Sequence, residues 1–251
     1  MHELNTDQLE ELFGSDNSDF DDSFSDDQTR MDARLGSDRN RSPARMLTSE
    51  KFGRIPGLRL LRQGLSHSVQ TKLLDTIISA KYFNGATNNQ AMHFGDLPQQ
   101  FQDIGQWAKR DTDLLESIDR EPLFDQAILN LYRPGEGIRS HVDLQKFDDG
   151  ILIVSLLSSC VMIMTPASEA QKHATSYSEE GNLDDGIPIL LRPGDVLAMI
   201  GPARWDWAHC IPARLVDDVN GDIIQRGSRV SITLRKLNCT TADAIELGHR
   251  Q

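Results

Sequence analysis

The chain has 251 residues, 38% of them hydrophobic and 6% aromatic, with a formal net charge of −12. That length has room for one sizeable core and a tail. No apolar run approaches the ~18 residues of a membrane-spanning helix, and three cysteines (Cys160, Cys210, Cys239) without paired spacing argue against a disulfide framework. The charge is unevenly spread. Ten of the 38 acids lie in residues 1–28, which hold no Lys or Arg, so the rest carries 28 acids against 26 bases. From Arg30 to Arg62 there are nine bases and three acids. The acidic total therefore neither excludes a nucleic-acid partner nor points to one. An acidic start without early arginines is the reverse of a mitochondrial transit peptide, so cytosol or nucleus is expected.

Residues 1–48 alternate Asp, Ser, Asn and Gly around Phe13, Phe20 and Phe24. Such a segment cannot bury enough apolar surface to offset its ordering entropy. It is expected to be a disordered tail, acidic then basic, either solubilising or docking an unknown protein. A folded domain should occupy 49–240, entered near Ile55-Pro-Gly-Leu58, with a short tail at 241–251. Ser66 to Lys81 has apolar residues at helical spacing behind Ser66 as N-cap, and Gln99 to Ile118 shows a second helical pattern. Asn84 to Leu97 reads as a loop able to reach over a site.

From Gln126 the pattern changes to short apolar runs separated by turn residues. Strands are expected near 126–132, 140–144, 151–157, 160–165, 187–191, 195–200, 204–210 and 228–236. Pro134-Gly135, Asp149-Gly150, Pro193-Gly194 and Asn220-Gly221 mark turns between them, and Ala167 to Asp185 reads as a surface loop. Two helices followed by about eight strands imply an α+β domain with a β-sandwich or jelly-roll core and helices on one side.

His141 and Asp143 stand two apart, so on an extended chain both leave the same face. With one distant His they would form the two-His-one-carboxylate triad of non-haem Fe(II) oxygenases. Of the other histidines, His2, His67, His173 and His249 lie in a tail, a helix or polar regions. His209 follows Trp205 and Trp207 at the same parity, in the β-rich half. A His beside two Trp also fits a packed core residue. Arg229-Val-Ser-Ile-Thr-Leu-Arg235 puts two arginines, Ser231 and Thr233 on one strand face. Their guanidinium forks suit the two ends of a dicarboxylate, while a solvated edge strand would also explain the pattern.

Together these residues resemble the AlkB-like 2-oxoglutarate/Fe(II) dioxygenases. The resemblance is carried by Asn130-x-Tyr132-x-x-Gly135-x-Gly137-Ile138-x-x-His141-x-Asp143, by Leu191-x-x-Gly194-Asp195 with Arg204-x-x-x-x-His209-x-Ile211, and by Arg229-x-Ser231-x-Thr233-x-Arg235. Ser231 stands where the family usually has Asn, and the step from Arg204 to His209 is one longer than in many relatives. Lys146-Phe147 and Val154-Ser-Leu-Leu-Ser158 look closer to a eukaryotic branch.

The resemblance implies a double-stranded β-helix with Fe(II), 2-oxoglutarate and O2. His141, Asp143 and His209 would hold the metal. Arg229, with Tyr132 and Asn130, would take the distal carboxylate, beside Ser231, and Arg235 would lie near the chelating end. It implies oxidative decarboxylation of 2-oxoglutarate coupled to hydroxylation of a substrate C–H, an N-methyl carbon then leaving as formaldehyde. N-alkylated nucleobases in DNA or RNA are the expected substrates. The alternatives are protein side chains or a metal-pocket module without turnover. His93, Phe94 and Trp107 could form a stacking wall, with Phe94 and Trp107 also readable as core, and Arg133 and Arg139 a basic rim.

Overall fold

In a computed structural model, residues 46–83, 89–170 and 186–238 are described. The acidic tail, most of the loop expected at 167–185, the C-terminal tail, His2, His173, His249 and Cys239 lie outside them.

Two antiparallel sheets face each other. The larger runs in the order β1 (Glu50–Lys51), β2 (Leu58–Leu61), β9 (Val196–Met199), β6 (Ile151–Leu156), β13 (Arg229–Arg235), β4 (Gln126–Tyr132) and β3 (Gln90–Phe94). The smaller runs β5 (Ile138–His141), β10 (Trp207–Ile211), β7 (Cys160–Pro166) and β8 (Ile187–Leu191). This is the expected jelly roll. Helices α1 (His67–Ser79) and α2 (Gln99–Arg110) cover the outer face of the larger sheet. Helix α3 (Pro202–Trp205) and the hairpin β11 (Val216–Val219) and β12 (Asp222–Gln225) lie outside the two sheets.

Period-two alternation divides the core into two layers. Leu129, Leu131, Val230, Ile232, Leu234, Val154 and Leu156 point outward against Leu73, Ile77, Phe101, Ile104 and Trp107 of the helices. Ile151, Ile153, Leu197 and Met199 point inward against Met162, Met164, Leu191 and Ile211 of the smaller sheet. Each fully buried side chain of this kind contributes about 1.5–3 kcal/mol. Both faces of β13 are therefore buried, and the strand lies between β6 and β4. The alternative of a solvated edge strand is excluded.

Several elements differ from expectation. Ser66 caps α1 by accepting from the Val69 amide, as anticipated. Helix α2 stops at Arg110 rather than Ile118. There the Thr112 hydroxyl donates to the Ala108 carbonyl, and the Leu47 amide donates to the Asp111 carbonyl, at 2.6 and 2.9 Å. The chain turns there to meet Leu47, upstream of Ile55. Part of the loop expected at 84–97 is strand β3, an edge strand without a β-branched residue that is paired with β4. Strand β5 starts and ends earlier than 140–144. A Cβ on Gly137 would fall 2.2 Å from the Ile211 carbonyl oxygen, so only glycine admits this approach of the chain to β10. The strand expected at 204–210 is instead α3, with Pro202 in its first turn, followed by β10.

The β11–β12 hairpin was not anticipated, although Asn220-Gly221 marked its turn. Both residues have positive φ (57° and 91°), as a two-residue primed turn requires. Its polar sequence hides a buried ion pair in which Arg226 grips both oxygens of Asp217 at 2.6 Å.

Candidate active site

His141 and His209 are direct partners across β5 and β10, and their ring centroids are 4.3 Å apart. Asp143 lies just beyond the end of β5, with Oδ2 3.9 Å from His209 Nε2. One donor atom from each of the three lies within 4.8 Å of the others. His141 Nδ1 donates to the Arg139 carbonyl at 2.8 Å, which fixes the tautomer and leaves Nε2 for a metal. His209 is 8% exposed, and its pKa falls from 6.5 to about 4, through burial first and then the neighbouring His141. It is thus neutral at physiological pH, the state that coordinates metal. Burial pushes the Asp143 carboxyl up, but His209, Arg235 and His141 outweigh it and hold the group below the usual carboxylate range. The neutral His209, the free Nε2 of His141 and the ionised Asp143 carboxylate fit a ferrous ion.

Asp143 is held from two sides. Arg235 Nη1 donates to its Oδ1 at 2.6 Å. Arg204, 1% exposed, reaches from α3 to the loop that carries it. Nη1 donates to the Asp143 carbonyl (3.1 Å) and Nη2 to those of Leu144 and Phe147 (2.8 and 2.9 Å). The Trp205 ring covers the same guanidinium at 4.1 Å. Because α3 replaces a strand there, Trp205 does not share a face with His209. It is 39% exposed, whereas Trp207 packs against the inner core.

From the metal ligands a pocket extends along the inner faces of β4 and β13. It is lined by Asn130, Tyr132, Arg229, Ser231, Thr233 and Arg235, with Gln90 and Ile128 at one side. All five residues expected at a dicarboxylate therefore converge. Arg229 is 3% exposed, and its Nε donates to Ser155 Oγ at 2.9 Å. Its Nη1 is buried without a hydrogen-bond partner. A buried guanidinium nitrogen left unpaired is costly, and a ligand carboxylate would satisfy it. Tyr132, partnered across the sheet with Arg229, has its phenol pKa raised by burial, partly offset by Arg229 and by hydrogen bonding to Ser231. Asn130 Oδ1 accepts from Gln90 Nε2 at 2.8 Å. The donor set thus fits 2-oxoglutarate.

A sequence model described as the 2OG-Fe(II) oxygenase superfamily matches residues 57–235. The chain belongs to the 2OG-Fe(II) oxygenase superfamily. Its members are dioxygenases that use Fe(II), 2-oxoglutarate and O2, the cofactors expected from the motifs. The AlkB-like resemblance is also borne out. The "Alkylated DNA repair protein ALKBH8 homolog" of Arabidopsis thaliana is 28% identical over 219 residues, 78% of this chain and 62% of that protein. The "N6-methyladenosine RNA demethylase ALKBH" of Cryphonectria parasitica is 27% identical over 39% of this chain and 44% of its own length. This superfamily member thus spans less than two thirds of these relatives. The solved structure of OsALKBH1 aligns with 72% of this chain and 98% of its own, at a TM-score of 0.48 and 15% identity.

The stacking wall needs correction. Trp107 is 1% exposed and belongs to the helix-side core. His93 is tied on both nitrogens, to the Tyr82 hydroxyl at 2.7 Å and the Asp96 carbonyl at 2.9 Å. Phe94 is not core: it is 51% exposed, and Met92, overlooked in the sequence, is 53% exposed. With Gln90 they alternate on the face of β3 that pairs with Gln126, Ile128 and Asn130, so they continue the pocket wall outward. Arg139 is exposed, while Arg133 is half-buried beside Glu136 at 3.8 Å. Gln126, Ser155 and the bracing by Arg204 were also missed. Strand pairing brings Gln126 and Ser155 to the site, and α3 brings Arg204.

Proposed function

We propose that this protein oxidatively demethylates N-alkylated nucleobases in DNA or RNA. On this reading His141, Asp143 and His209 hold Fe(II). Arg229, with Tyr132, Asn130 and Ser231, takes the distal carboxylate of 2-oxoglutarate, and Arg235 stands near its chelating end. Bound iron and 2-oxoglutarate supply the oxidation of the N-methyl carbon. The chain's own side chains bind, orient and exclude water. The reading goes with a cytosolic or nuclear protein.

The observation that carries the choice of substrate is the apolar shelf of Met92 and Phe94, which runs from the pocket wall to solvent. A flat base stacks on such a surface at about 1–3 kcal/mol. The names of the Arabidopsis and Cryphonectria relatives, a DNA repair protein homologue and an RNA demethylase, agree with it. A methylated protein is the second reading, favoured by the position of β3 at the edge of its sheet, where an extended peptide can add a strand.

Formaldehyde release decides between them. The protein, with Fe(II), 2-oxoglutarate and ascorbate, is offered N-methylated oligonucleotides and N-methylated peptides. Release from oligonucleotides alone is expected. Release from peptides alone overturns the nucleobase reading, and no succinate from any substrate overturns the dioxygenase reading.

A further inference from the structure

Gln126 is 0% exposed, a polar side chain at the first position of β4 on the inner face. A buried amide is costly unless its polar atoms are paired. Its Nε2 donates to the adjacent Ala127 carbonyl at 2.9 Å, and its Oε1 accepts from Arg235 Nε at 2.7 Å. Arg235 is its direct partner across the sheet. The face of the same guanidinium lies 3.9 Å from the Phe147 ring. One edge is therefore fixed by Gln126 and one face by Phe147, so the plane can point Nη1 in only one direction. That direction is Asp143 Oδ1, at 2.6 Å.

We propose that Gln126 is a positioning residue: by fixing Arg235 it commits one oxygen of Asp143 to the guanidinium and offers only the other to the metal. The inference rests on the metal-site reading above. A carboxylate can bind a divalent ion through one oxygen or both. With Oδ1 engaged by Arg235, Oδ2 is the oxygen turned toward His209, 3.9 Å from its Nε2. His141, Asp143 and His209 would then hold the metal through one atom each and leave room beside it for a 2-oxo acid and O2. Without the bond from Arg235, both oxygens of Asp143 would be free to bind the metal, at the expense of the co-substrate. The effect of Gln126 falls on co-substrate entry rather than on the metal itself.

The full-length protein is loaded with Co(II), whose visible absorption reports coordination. Wild type, Gln126→Leu and Gln126→Glu are titrated with Co(II) and then with 2-oxoglutarate. Glu retains an acceptor for Arg235 Nε, and Leu does not. The Leu variant is expected to bind Co(II) but to need about tenfold or more 2-oxoglutarate to shift the cobalt band, the scale of effect seen for groups that orient metal ligands. The Glu variant should return to near the wild-type value. If Leu does not fold, Met, of similar length and also without the acceptor, replaces it. An unchanged titration in Leu or Met overturns the proposal, as does equal impairment in Leu and Glu, which would mark a packing role. A wild-type protein that binds no Co(II) overturns the metal-site reading and this proposal with it.

Discussion

His141 and His209 face each other as register partners on the adjacent strands β5 and β10 of the smaller sheet, with their ring centroids 4.3 Å apart. Two imidazoles so close cannot both carry protons cheaply, and burial already lowers the pKa of His209 to about 4. An unfolded His titrates near 6.5, so between these values the unfolded chain binds the extra proton. The contribution of His209 to stability is thus complete above pH 6.5 and is lost as pH falls toward 4. The melting temperature of the metal-free protein should decline across that window, and His209→Gln should flatten the decline.

Removing a metal ligand should abolish the chemistry without unfolding the sheet. His141→Ala and Asp143→Ala are each expected to cut succinate production by more than about 100-fold. Far-UV circular dichroism should be unchanged. Retained turnover in either variant would contradict the assignment.

Arg229 offers a prediction with opposite signs. Its unpaired Nη1 burdens the empty pocket, and a bound dicarboxylate should relieve it. Arg229→Met should raise the KM for 2-oxoglutarate by about 30-fold or more, the loss of a charge-assisted pair. The metal-free, ligand-free protein should melt no lower than wild type. Ser155→Ala removes the acceptor that aims Arg229 and should raise the same KM by a smaller factor.

Arg204 tests the bracing of the metal-ligand loop. Arg204→Ala leaves the carbonyls of Asp143, Leu144 and Phe147 without their donor, at a cost of about 2–4 kcal/mol. Urea unfolding should show that loss, and iron affinity should fall with it.

The shelf on β3 separates base binding from co-substrate chemistry. Met92→Ala with Phe94→Ala should weaken oligonucleotide binding by about 1–3 kcal/mol. Turnover of 2-oxoglutarate in the absence of substrate should be unchanged.

The metal ligands and the arginine pair were readable because their chemistry is unusual for their setting. A His-x-Asp, a distant His among strands and two arginines six apart on a β-branched run leave few bland explanations. The β-rich half was readable from its apolar runs and glycine turns, and its register then places Arg229 opposite Tyr132 as the dicarboxylate reading needs. Elements defined by partners rather than by their own residues were not readable. Strand β3 has weak strand formers and exists by pairing with β4, while β11 and β12 conceal their buried Asp217–Arg226 pair within a polar sequence. Gln126 and Ser155 gain meaning only from lying opposite Arg235 and Ser231, which no local pattern encodes.

Strand β13 comes after every other described strand in the chain, yet it docks in the interior of its sheet, between two strands made much earlier. It follows His141, Asp143 and His209 in the chain and carries both guanidinium groups of the pocket. A chain cut before Arg229 keeps His141, Asp143 and His209 in its sequence and lacks both arginines that line the pocket. The metal-ligand candidates and the pair of cations are therefore separable by a single cut in the chain.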